Sequence, residues 1–339
     1  MAERSREVRL AARPSGVPEE SDFEIAEVEL SEPGTGQILV RNAYFSVDPY
    51  MRPRMNDVES YVPPFALGEP LTGGAVGRVA VSQDEAFAAG DWVFHGLGWR
   101  EWAVCEAARA RAVDPALAPV STALGVLGMP GFTAYHGLFE IGGAQEGETV
   151  FVSGAAGAVG SAAAQMAKIA GCRALGSAGS REKVDWLVEL GLDAAFDYRE
   201  TRTRKALAEL APDGIDVYFD NVGGDQLEAA LSALRRNGRV VACGSVSRYN
   251  DVDPVPGPRN LALVVTKRLR IQGFIVSDHY ERFGAFLERA ADWVRDGRLR
   301  YRETVVDGIE NAPAAFIGLL GGDNIGKMLV RVGPDAAAP

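Results

Sequence analysis

Cysteine and histidine are scarce in this chain of 339 residues, which contains three of each. Cys105, Cys172 and Cys243 lie far apart and form no C-x-x-C pair. This spacing excludes a dense disulfide framework and a four-cysteine structural zinc site, and it suits a reducing compartment. We therefore expect a cytoplasmic protein.

The scarcity of histidine also argues against a catalytic zinc ion, which needs several cysteine and histidine ligands. Only His95, His136 and His279 are available, and no cysteine lies near them in the sequence. A G-x-S-x-G elbow is missing too, so a serine hydrolase is poorly supported. We expect a site without a metal ion.

Long hydrophobic runs and an excess of positive charge are also missing. No run of about 18 apolar residues occurs, so the sequence predicts no membrane span. Residues 1–14 are charged and lack the apolar stretch of a signal peptide. With 35 basic and 46 acidic residues the net charge is −11. This charge disfavours nucleic acid and anionic membranes as partners, because both are negative.

The length favours two domains, and the pattern of predicted secondary structure changes near residue 125. Residues 24–111 read as short strands and turns, and polar and apolar residues alternate in 24–30. Residues 327–332 are strand-like again. We predict a β-rich domain formed by residues 1–125 and 308–339, and a second domain formed by residues 126–307.

Strands and helices alternate in the second domain, and helical spacing of apolar residues separates the strands. The helix that begins near Leu227 is predicted to run through Leu234. The alternation implies an α/β fold, a doubly wound parallel sheet with helices on both faces. The predicted strands cover residues 148–153, 173–176, 215–220, 239–243 and 271–276.

A glycine-rich segment, residues 153–161, follows the first of these strands and opens a helix. In a dinucleotide-binding loop, small residues let the backbone approach a pyrophosphate and the helix N-terminus offers N–H groups. The pattern is Ala155-x-Gly157-x-x-Gly160, with alanine at the usual first glycine. A tight turn without a ligand is the alternative. The predicted cofactor contacts are Ala156, Gly157, Ala158, Val159 and Gly160.

The next strand ends without the acidic residue that NAD-binding proteins usually offer to the ribose hydroxyls. Ser177, Ala178 and Gly179 stand there, Ser180 is predicted to cap the next helix, and Arg181 and Lys183 follow. Hydroxyl groups and positive charges suit a 2′-phosphate, so we predict NADPH rather than NADH as the cofactor. The alternative is that the two cations belong only to a solvated helix face.

Seven segments together resemble the zinc-independent medium-chain dehydrogenase/reductase superfamily, in particular its leukotriene B4 12-hydroxydehydrogenase/prostaglandin reductase group. This group includes curcumin reductases and plant double-bond reductases. The chain departs from the group at Pro53, at His136 and at residues 255–258, and these departures bear on the substrate. The similar segments are NAYFSVDPYMR at 42–52, MPGFTAY at 129–135, AAGAVGS at 155–161, AGSREKV at 178–184, FDNVGG at 219–224, QGF at 272–274 and NIGK at 324–327.

The resemblance implies a β-rich GroES-like domain, a Rossmann-type domain and reduction of a carbon–carbon double bond conjugated to a carbonyl. NADPH would deliver hydride to the β carbon without a metal, and the enolate would then be protonated. A hydrogen-bond donor must stabilise the charge that grows on the carbonyl oxygen. In the group, tyrosines at places like those of Tyr50, Tyr61 and Tyr249 line the substrate pocket, which makes these three the candidate catalytic residues. The alternative for each is a half-buried packing residue.

Further cofactor contacts follow from positions at strand ends and from the resemblance. We expect Tyr198 near the adenosine phosphate, Asn221 near the nicotinamide ribose, Thr133 near the nicotinamide, and Asn324 on the cofactor. Turn capping is the alternative for both asparagines. The remaining predicted contacts are Cys243, Gly244, Phe274, Ile275 and Val276.

Two other functions stay open: a quinone oxidoreductase on the same fold, and an NADPH-binding redox sensor without turnover. The motif at 48–52 favours enone reduction. Residues 271–276 are predicted to pair with their copy across a two-fold axis, which gives a homodimer as in the superfamily. Asp48 and Arg52 are predicted to form an ion pair around their turn.

Overall fold

The computed structural model describes residues 4–335, and the chain divides into two units. One unit comprises Met1–Gly125 and Glu303–Pro339, and the other comprises Val126–Arg302. The strands are β1 (Arg4–Leu10), β2 (Phe23–Glu29), β3 (Gln37–Ser46), β4 (Ala75–Ser82), β5 (Trp92–His95), β6 (Trp102–Glu106), β7 (Arg111–Ala112), β8 (Thr149–Val152), β9 (Arg173–Ala178), β10 (Ala194–Asp197), β11 (Ile215–Asp220), β12 (Leu234–Ala242), β13 (Arg270–Gly273), β14 (Glu303–Asp307) and β15 (Lys327–Arg331).

Among the described residues, the two longest helices, of 12 and 13 residues, lie in the second unit, and short 3-10 turns connect several elements. A π-helical turn, His136–Ile141, continues the second helix. The α-helices are α1 (Met51–Arg54), α2 (Met129–Tyr135), α3 (Ala158–Ile169), α4 (Arg181–Glu189), α5 (Thr203–Leu210), α6 (Gly224–Ala233), α7 (Leu263–Lys267), α8 (Phe283–Arg295) and α9 (Ala312–Gly321). Within residues 4–335, no helix is long and apolar enough to cross a membrane.

The first unit is β-rich, as predicted. Its main sheet has the order β14-β15-β3-β4-β5-β7, with β6 also paired to β3, and β1 and β2 form a separate ribbon. Strand β14 pairs in parallel with β15, so residues 303–307 belong to this unit, whereas the predicted boundary assigned them to the other domain. Aromatic and aliphatic side chains around Phe45, Trp99 and Phe316 form a core of this first unit.

The second unit contains a six-stranded parallel sheet in the order β10-β9-β8-β11-β12-β13. The predicted α/β fold class, which combines a Rossmann-type sheet with a β-rich GroES-like unit, is therefore confirmed. One helix differs from its prediction: α6 ends at Ala233, and Leu234 already pairs with Ile215 in the sheet. Leu234 is buried, and a buried leucine fits a helix face and a central strand equally well.

Candidate functional site

The strand order of the parallel sheet reverses between β8 and β11. Chains leave β8 and β11 toward opposite sides of the sheet, which opens a crevice at the carboxyl ends of these two strands. Ser153 directly follows β8, and Asp220 ends β11. In parallel sheets of this type, ligands bind at this reversal.

The glycine-rich segment predicted to bind a dinucleotide begins in this crevice. Gly154 has φ +57°, a left-handed conformation that glycine adopts without strain. A Cβ on Gly160 would collide with the Gly154 carbonyl oxygen and lie 2.8 Å from the Ala155 Cα. Glycine at 160 therefore lets α3 pack directly against the turn. The first helical residues, from Ala158, place their N–H groups at the turn, where phosphate binds favourably.

The buried Asp220 carboxylate accepts hydrogen bonds from several groups at the crevice. Its Oδ1 accepts hydrogen bonds from the Tyr218 hydroxyl at 2.7 Å and from the Ser153 hydroxyl at 3.3 Å. The main-chain N–H groups of Val222 and Gly223 donate to the same oxygen at 3.0 and 2.7 Å. Burial raises the pKa of Asp220, and these hydrogen bonds oppose the rise. No role for Asp220 was predicted from the FDNVGG segment, although a carboxylate at the end of an apolar strand could have indicated one.

Asn221 fastens the two strand ends to each other. Its main-chain N–H donates to the Ser153 Oγ at 3.0 Å, and its Nδ2 donates to the Ser153 carbonyl at 2.8 Å. The amide nitrogen thus shapes the loop, which is the capping role considered as the alternative. Contact of Asn221 with the ribose stays a prediction.

The helix that follows β9 begins with the serine cap that the sequence predicted. The Ser180 side chain caps α4 by accepting from the Lys183 N–H. Ser177 is buried and donates to the Gln226 Oε1 at 2.6 Å. A Cβ on Gly179 would lie 2.8 Å from the Tyr198 hydroxyl, so Tyr198 packs over this strand end. The structure therefore packs Tyr198 against Gly179 and places the main chain of Lys183 at the Ser180 cap.

The end of β12 meets the same crevice. The N–H groups of Cys243 and Gly244 both donate to the Asp220 carbonyl at 3.0 Å. Cys243 is partly exposed, yet the protein around its sulfur and the Asp220 carboxylate raise the pKa of its thiol to about 12. The thiol is therefore neutral near pH 7 and unsuited to nucleophilic chemistry. Tyr249 curls back over this turn, and its hydroxyl accepts from the Ser245 N–H at 3.4 Å.

The remaining predicted cofactor contacts occupy separate places. Phe274, Ile275 and Val276 follow β13 and are partly exposed. Thr133 is buried on α2, where its hydroxyl donates to the Met129 carbonyl at 2.8 Å. Asn324 lies in the β-rich unit, and its Nδ2 donates to the Gly326 carbonyl at 2.7 Å. The predicted roles of these five residues stay predictions.

Two of the three candidate tyrosines lie in the β-rich unit. Tyr50 immediately precedes α1 and is half-buried, and Tyr61 lies on the loop after α1 with 59% of its surface exposed. Burial lowers the pKa of Arg54, and the charge interactions of its guanidinium with Tyr50 and Tyr61 oppose this effect. Tyr249 belongs to the other unit. Arg54 had not been singled out from the sequence, where it reads as an ordinary surface cation.

The turn before Tyr50 is held by a buried lysine. Lys327 Nζ donates to the Val47 carbonyl at 2.8 Å and pairs with the Asp48 carboxylate at 3.1 Å. Asp48 also accepts a short hydrogen bond from the Ser46 hydroxyl. Burial lowers the pKa of Lys327, and Asp48 opposes this effect. The carboxylate predicted to pair with Arg52 thus pairs with Lys327, and the Arg52 guanidinium donates to main-chain carbonyls of residues 14 and 16.

In the described part of the chain, residues 4–335, the structure gathers no group of three or more His, Cys, Asp and Glu side chains that could hold a metal ion.

The chain matches two sequence families. Residues 6–113 match the family described as the N-terminal domain of oxidoreductase, and residues 158–292 match the family described as zinc-binding dehydrogenase. The chain is 42% identical to the NADPH-dependent curcumin reductase of Escherichia coli over 98% of both proteins. It is 44% identical to a 2-alkenal reductase (NADP(+)-dependent) of Nicotiana tabacum over 97% of both. The chain belongs to the leukotriene B4 12-hydroxydehydrogenase/prostaglandin reductase group of the medium-chain dehydrogenase/reductase superfamily.

A solved structure has the same fold. The crystal structure of CurA from Vibrio vulnificus in complex with NADPH superposes with a TM-score of 0.92, at 40% identity over 97% of this chain and 99% of that one. The family predicted from seven short segments is therefore confirmed over nearly the whole chain. The two family matches agree with the division of the chain into two units. One match lies within the β-rich unit and the other within the parallel-sheet unit.

Proposed function

We propose that this reductase uses NADPH to reduce the carbon–carbon double bond of α,β-unsaturated ketones or aldehydes. The observation that carries the proposal is the crevice between β8 and β11, where Gly160 lets α3 pack against the glycine-rich turn. The neighbouring strand β9 ends at residues with hydroxyl groups and positive charges. The names of two relatives support the reaction class: an NADPH-dependent curcumin reductase and a 2-alkenal reductase.

The residues at the crevice fit a dinucleotide with a 2′-phosphate. The Gly154 turn and the N-terminus of α3 suit the pyrophosphate, because their N–H groups and the helix dipole favour negative charge. We place the ribose phosphate near the Ser180 hydroxyl, Lys183 and the Tyr198 hydroxyl, because Ser180 caps the helix that carries Lys183 and Tyr198 packs over Gly179. A phosphate there gains charge-assisted hydrogen bonds that a ribose hydroxyl cannot form.

We expect Lys183→Ala to weaken NADPH binding and to spare NADH. Loss of a charge-assisted contact to the phosphate raises the Kd of NADPH by about 10- to 100-fold. Fluorescence titration with both nucleotides measures this. Lys205→Ala is the matched control, since Lys205 also lies on a helix of this unit and pairs with Glu209. Equal weakening of NADPH and NADH would contradict the assignment of Lys183.

The reaction transfers two electrons and two hydrogens. NADPH, when bound, supplies hydride to the β carbon of the enone. The π electrons of the double bond move toward the carbonyl, a proton is added at the α carbon, and NADP⁺ and the saturated carbonyl compound leave. The protein must bind the carbonyl oxygen with a hydrogen-bond donor, because negative charge grows there in the transition state. An enone is electrophilic at its β carbon without a metal.

Tyr50, Tyr61 and Tyr249 are the proposed donors to that oxygen. We expect a phenylalanine at the true donor to lower kcat about tenfold or more and to leave the Kd of NADPH unchanged, because the removed group acts on the developing charge. Steady-state rates of the three Tyr→Phe variants measure this. Full rates in all three variants would instead indicate that the cofactor ribose hydroxyl or water donates to the carbonyl oxygen.

A parallel rate assay separates the proposed reaction from its alternatives. NADPH absorbance should fall on addition of an α,β-unsaturated ketone or aldehyde, with a higher kcat/KM than for a quinone. A higher value for the quinone would favour a quinone oxidoreductase. NADPH binding without any turnover across enals, enones and quinones would favour a redox sensor.

We also propose that the protein is a homodimer that pairs β13 with its copy. Strand β13 ends the six-stranded sheet, and all four of its residues are exposed. The nearby Val265 is 79% exposed. An open strand edge beside apolar side chains is suited to pairing with a second chain. Light scattering measures the mass, and a monomer at micromolar concentration would contradict the proposal.

A further inference from the structure

His136 is a buried histidine to which the proposed reaction gives no role. It begins the π-helical turn that continues α2, and only 3% of its surface is exposed. Its Nε2 is buried and forms no hydrogen bond within the part of the chain that the structure describes. A proton added there would create a buried, charged N–H group without an acceptor, which is costly. Burial and the neighbouring His279 lower the pKa of His136, so its ring is neutral near pH 7.

The His136 ring contacts both ends of the segment formed by residues 274–279. The His279 ring stacks on it, with 4.0 Å between the ring centres and 21° between the ring planes. The centre of the Phe274 ring lies 5.6 Å from the centre of the His136 ring. A Cβ on Gly137 would lie 2.9 Å from the Phe274 Cζ, so Phe274 packs directly against the same turn. The position of this segment therefore depends on the His136 ring.

The carboxylates near the stacked pair already have a cation partner. Arg282 donates to Glu140 at 2.7 Å and lies 3.7 Å from the Glu281 carboxylate. A proton added to either histidine places positive charge beside its stacked partner and near Arg282. The neutral stack is therefore favoured above about pH 6.5, the ordinary pKa of histidine, and is lost as the pH falls below it. The other charged side chains on elements packed here are Asp278, which precedes His279, Arg270 of β13 and Arg289 of α8.

Residues 274–279 lie far from the proposed site of the ribose phosphate. They follow β13, the last strand of the sheet, whereas the proposed phosphate site follows β9. Four strand spacings separate β9 from β13 in the order β9-β8-β11-β12-β13, which amounts to roughly 19 Å. A dinucleotide whose ribose phosphate lies after β9 therefore extends its nicotinamide end toward the predicted contacts Phe274, Ile275 and Val276.

We infer that His136 and His279 are positioning residues: their neutral stack holds residues 274–279 in place for the nicotinamide end of the cofactor, and acid weakens cofactor binding by charging the stack. This inference rests on the placement of the dinucleotide in the proposed function, and it adds a pH-dependent control of cofactor affinity. Neither histidine acts on the substrate.

The test compares two ligands that share the adenosine end. NADP⁺ contains the nicotinamide, and adenosine 2′,5′-bisphosphate does not reach it. NADP⁺ replaces NADPH because reduced nicotinamide decays in acid. Calorimetric titration of the full chain gives both Kd values, and their ratio cancels the titration of the shared 2′-phosphate. The Kd of the bisphosphate also reports whether a variant is folded.

We expect His136→Ala to raise the Kd of NADP⁺ about fivefold or more at about pH 8, with the Kd of the bisphosphate within about twofold of wild type. His136→Phe should restore the affinity for NADP⁺, because phenylalanine keeps an aromatic ring between Phe274 and His279. The matched control is Tyr135→Ala. The Tyr135 ring packs against Phe139, Phe286 and Trp293, so this variant should bind NADP⁺ as wild type does.

The pH response shows whether the charge of the pair matters. In the wild type, the Kd of NADP⁺ divided by that of the bisphosphate should rise about threefold or more from about pH 8 to about pH 5.5. In His136→Phe the ratio should change by less than about 1.5-fold, because a charged His279 over a phenylalanine ring forms a favourable cation–π contact.

The outcomes distinguish the two proposals. A wild-type chain that binds neither ligand contradicts the placement of the dinucleotide in the proposed function. With both ligands bound by the wild type, three results contradict the role of the histidine pair alone: NADP⁺ affinity of His136→Ala within about twofold of wild type, equal weakening of both ligands in that variant, or the same pH response in wild type and His136→Phe.

Discussion

Gly160→Ala is expected to abolish most NADPH binding while leaving the chain folded. The added Cβ would collide with the carbonyl oxygen of Gly154 and lie 2.8 Å from the Ala155 Cα, and both obstacles are backbone atoms. The turn can admit the methyl group only by moving away from α3. This movement misaligns the N–H groups that face the pyrophosphate. We expect the Kd of NADPH to rise on the order of 100-fold, with overpacking costing about 1–3 kcal/mol of stability.

The matched control is Gly284→Ala. Gly284 lies in α8 of the same unit, and a Cβ there meets nothing within 4 Å. Alanine in a helix is more favourable than glycine by about 0.5–1 kcal/mol, so this variant should be slightly stabilised and should bind NADPH normally. Fluorescence titration and thermal unfolding measure both variants. Normal NADPH affinity in Gly160→Ala would show that the cofactor does not depend on this turn.

Lys327→Met is expected to give the largest loss of stability. It leaves the Asp48 carboxylate buried without its cation, and it removes donors from the carbonyls of Val47 and Met328. Breaking a buried ion pair on one side costs about 3–5 kcal/mol. Urea unfolding of the purified variant measures the loss. Because Val47 and Asp48 precede Tyr50, the enone rate of the folded variant should fall as well.

A second variant shows whether the pair or the lysine alone is responsible. Lys327→Met combined with Asp48→Asn should be more stable than the sum of the two single losses predicts, because the buried charge is removed with its partner. Ordinary surface substitutions change the free energy of unfolding by up to about 0.5 kcal/mol. A change for Lys327→Met within that range would contradict the role of the buried pair.

The glycine-rich turn and the helix cap could be predicted from the sequence because they are local. The turn at 153–161, the cap at Ser180 and the missing acid after β9 each depend on residues a few positions apart. Their backbone geometry follows from residue type: glycine where φ is positive or the packing is closest, and serine at a helix N-terminus. The family resemblance then joined segments that no local pattern connects.

The features that the sequence did not reveal depend on distant contacts or on context. Asp48 and Lys327 are 279 positions apart, so a nearby arginine was the natural partner to predict. Arg54 resembles an ordinary surface cation in the sequence, but in the structure its Nε donates to the Pro63 carbonyl and its guanidinium lies over the Phe65 ring. Leu234 was assigned to a helix because apolar spacing alone does not locate the point where the chain enters the sheet.

The fate of the hydride tests the central claim most directly. The wild-type chain is incubated with NADPH deuterated at the transferred position and an α,β-unsaturated ketone, and the product is examined by NMR. We predict a saturated ketone with one deuterium on the β carbon and a solvent proton on the α carbon. Deuterium on the carbonyl carbon of an alcohol, or no transfer with NADPH bound, would contradict the account.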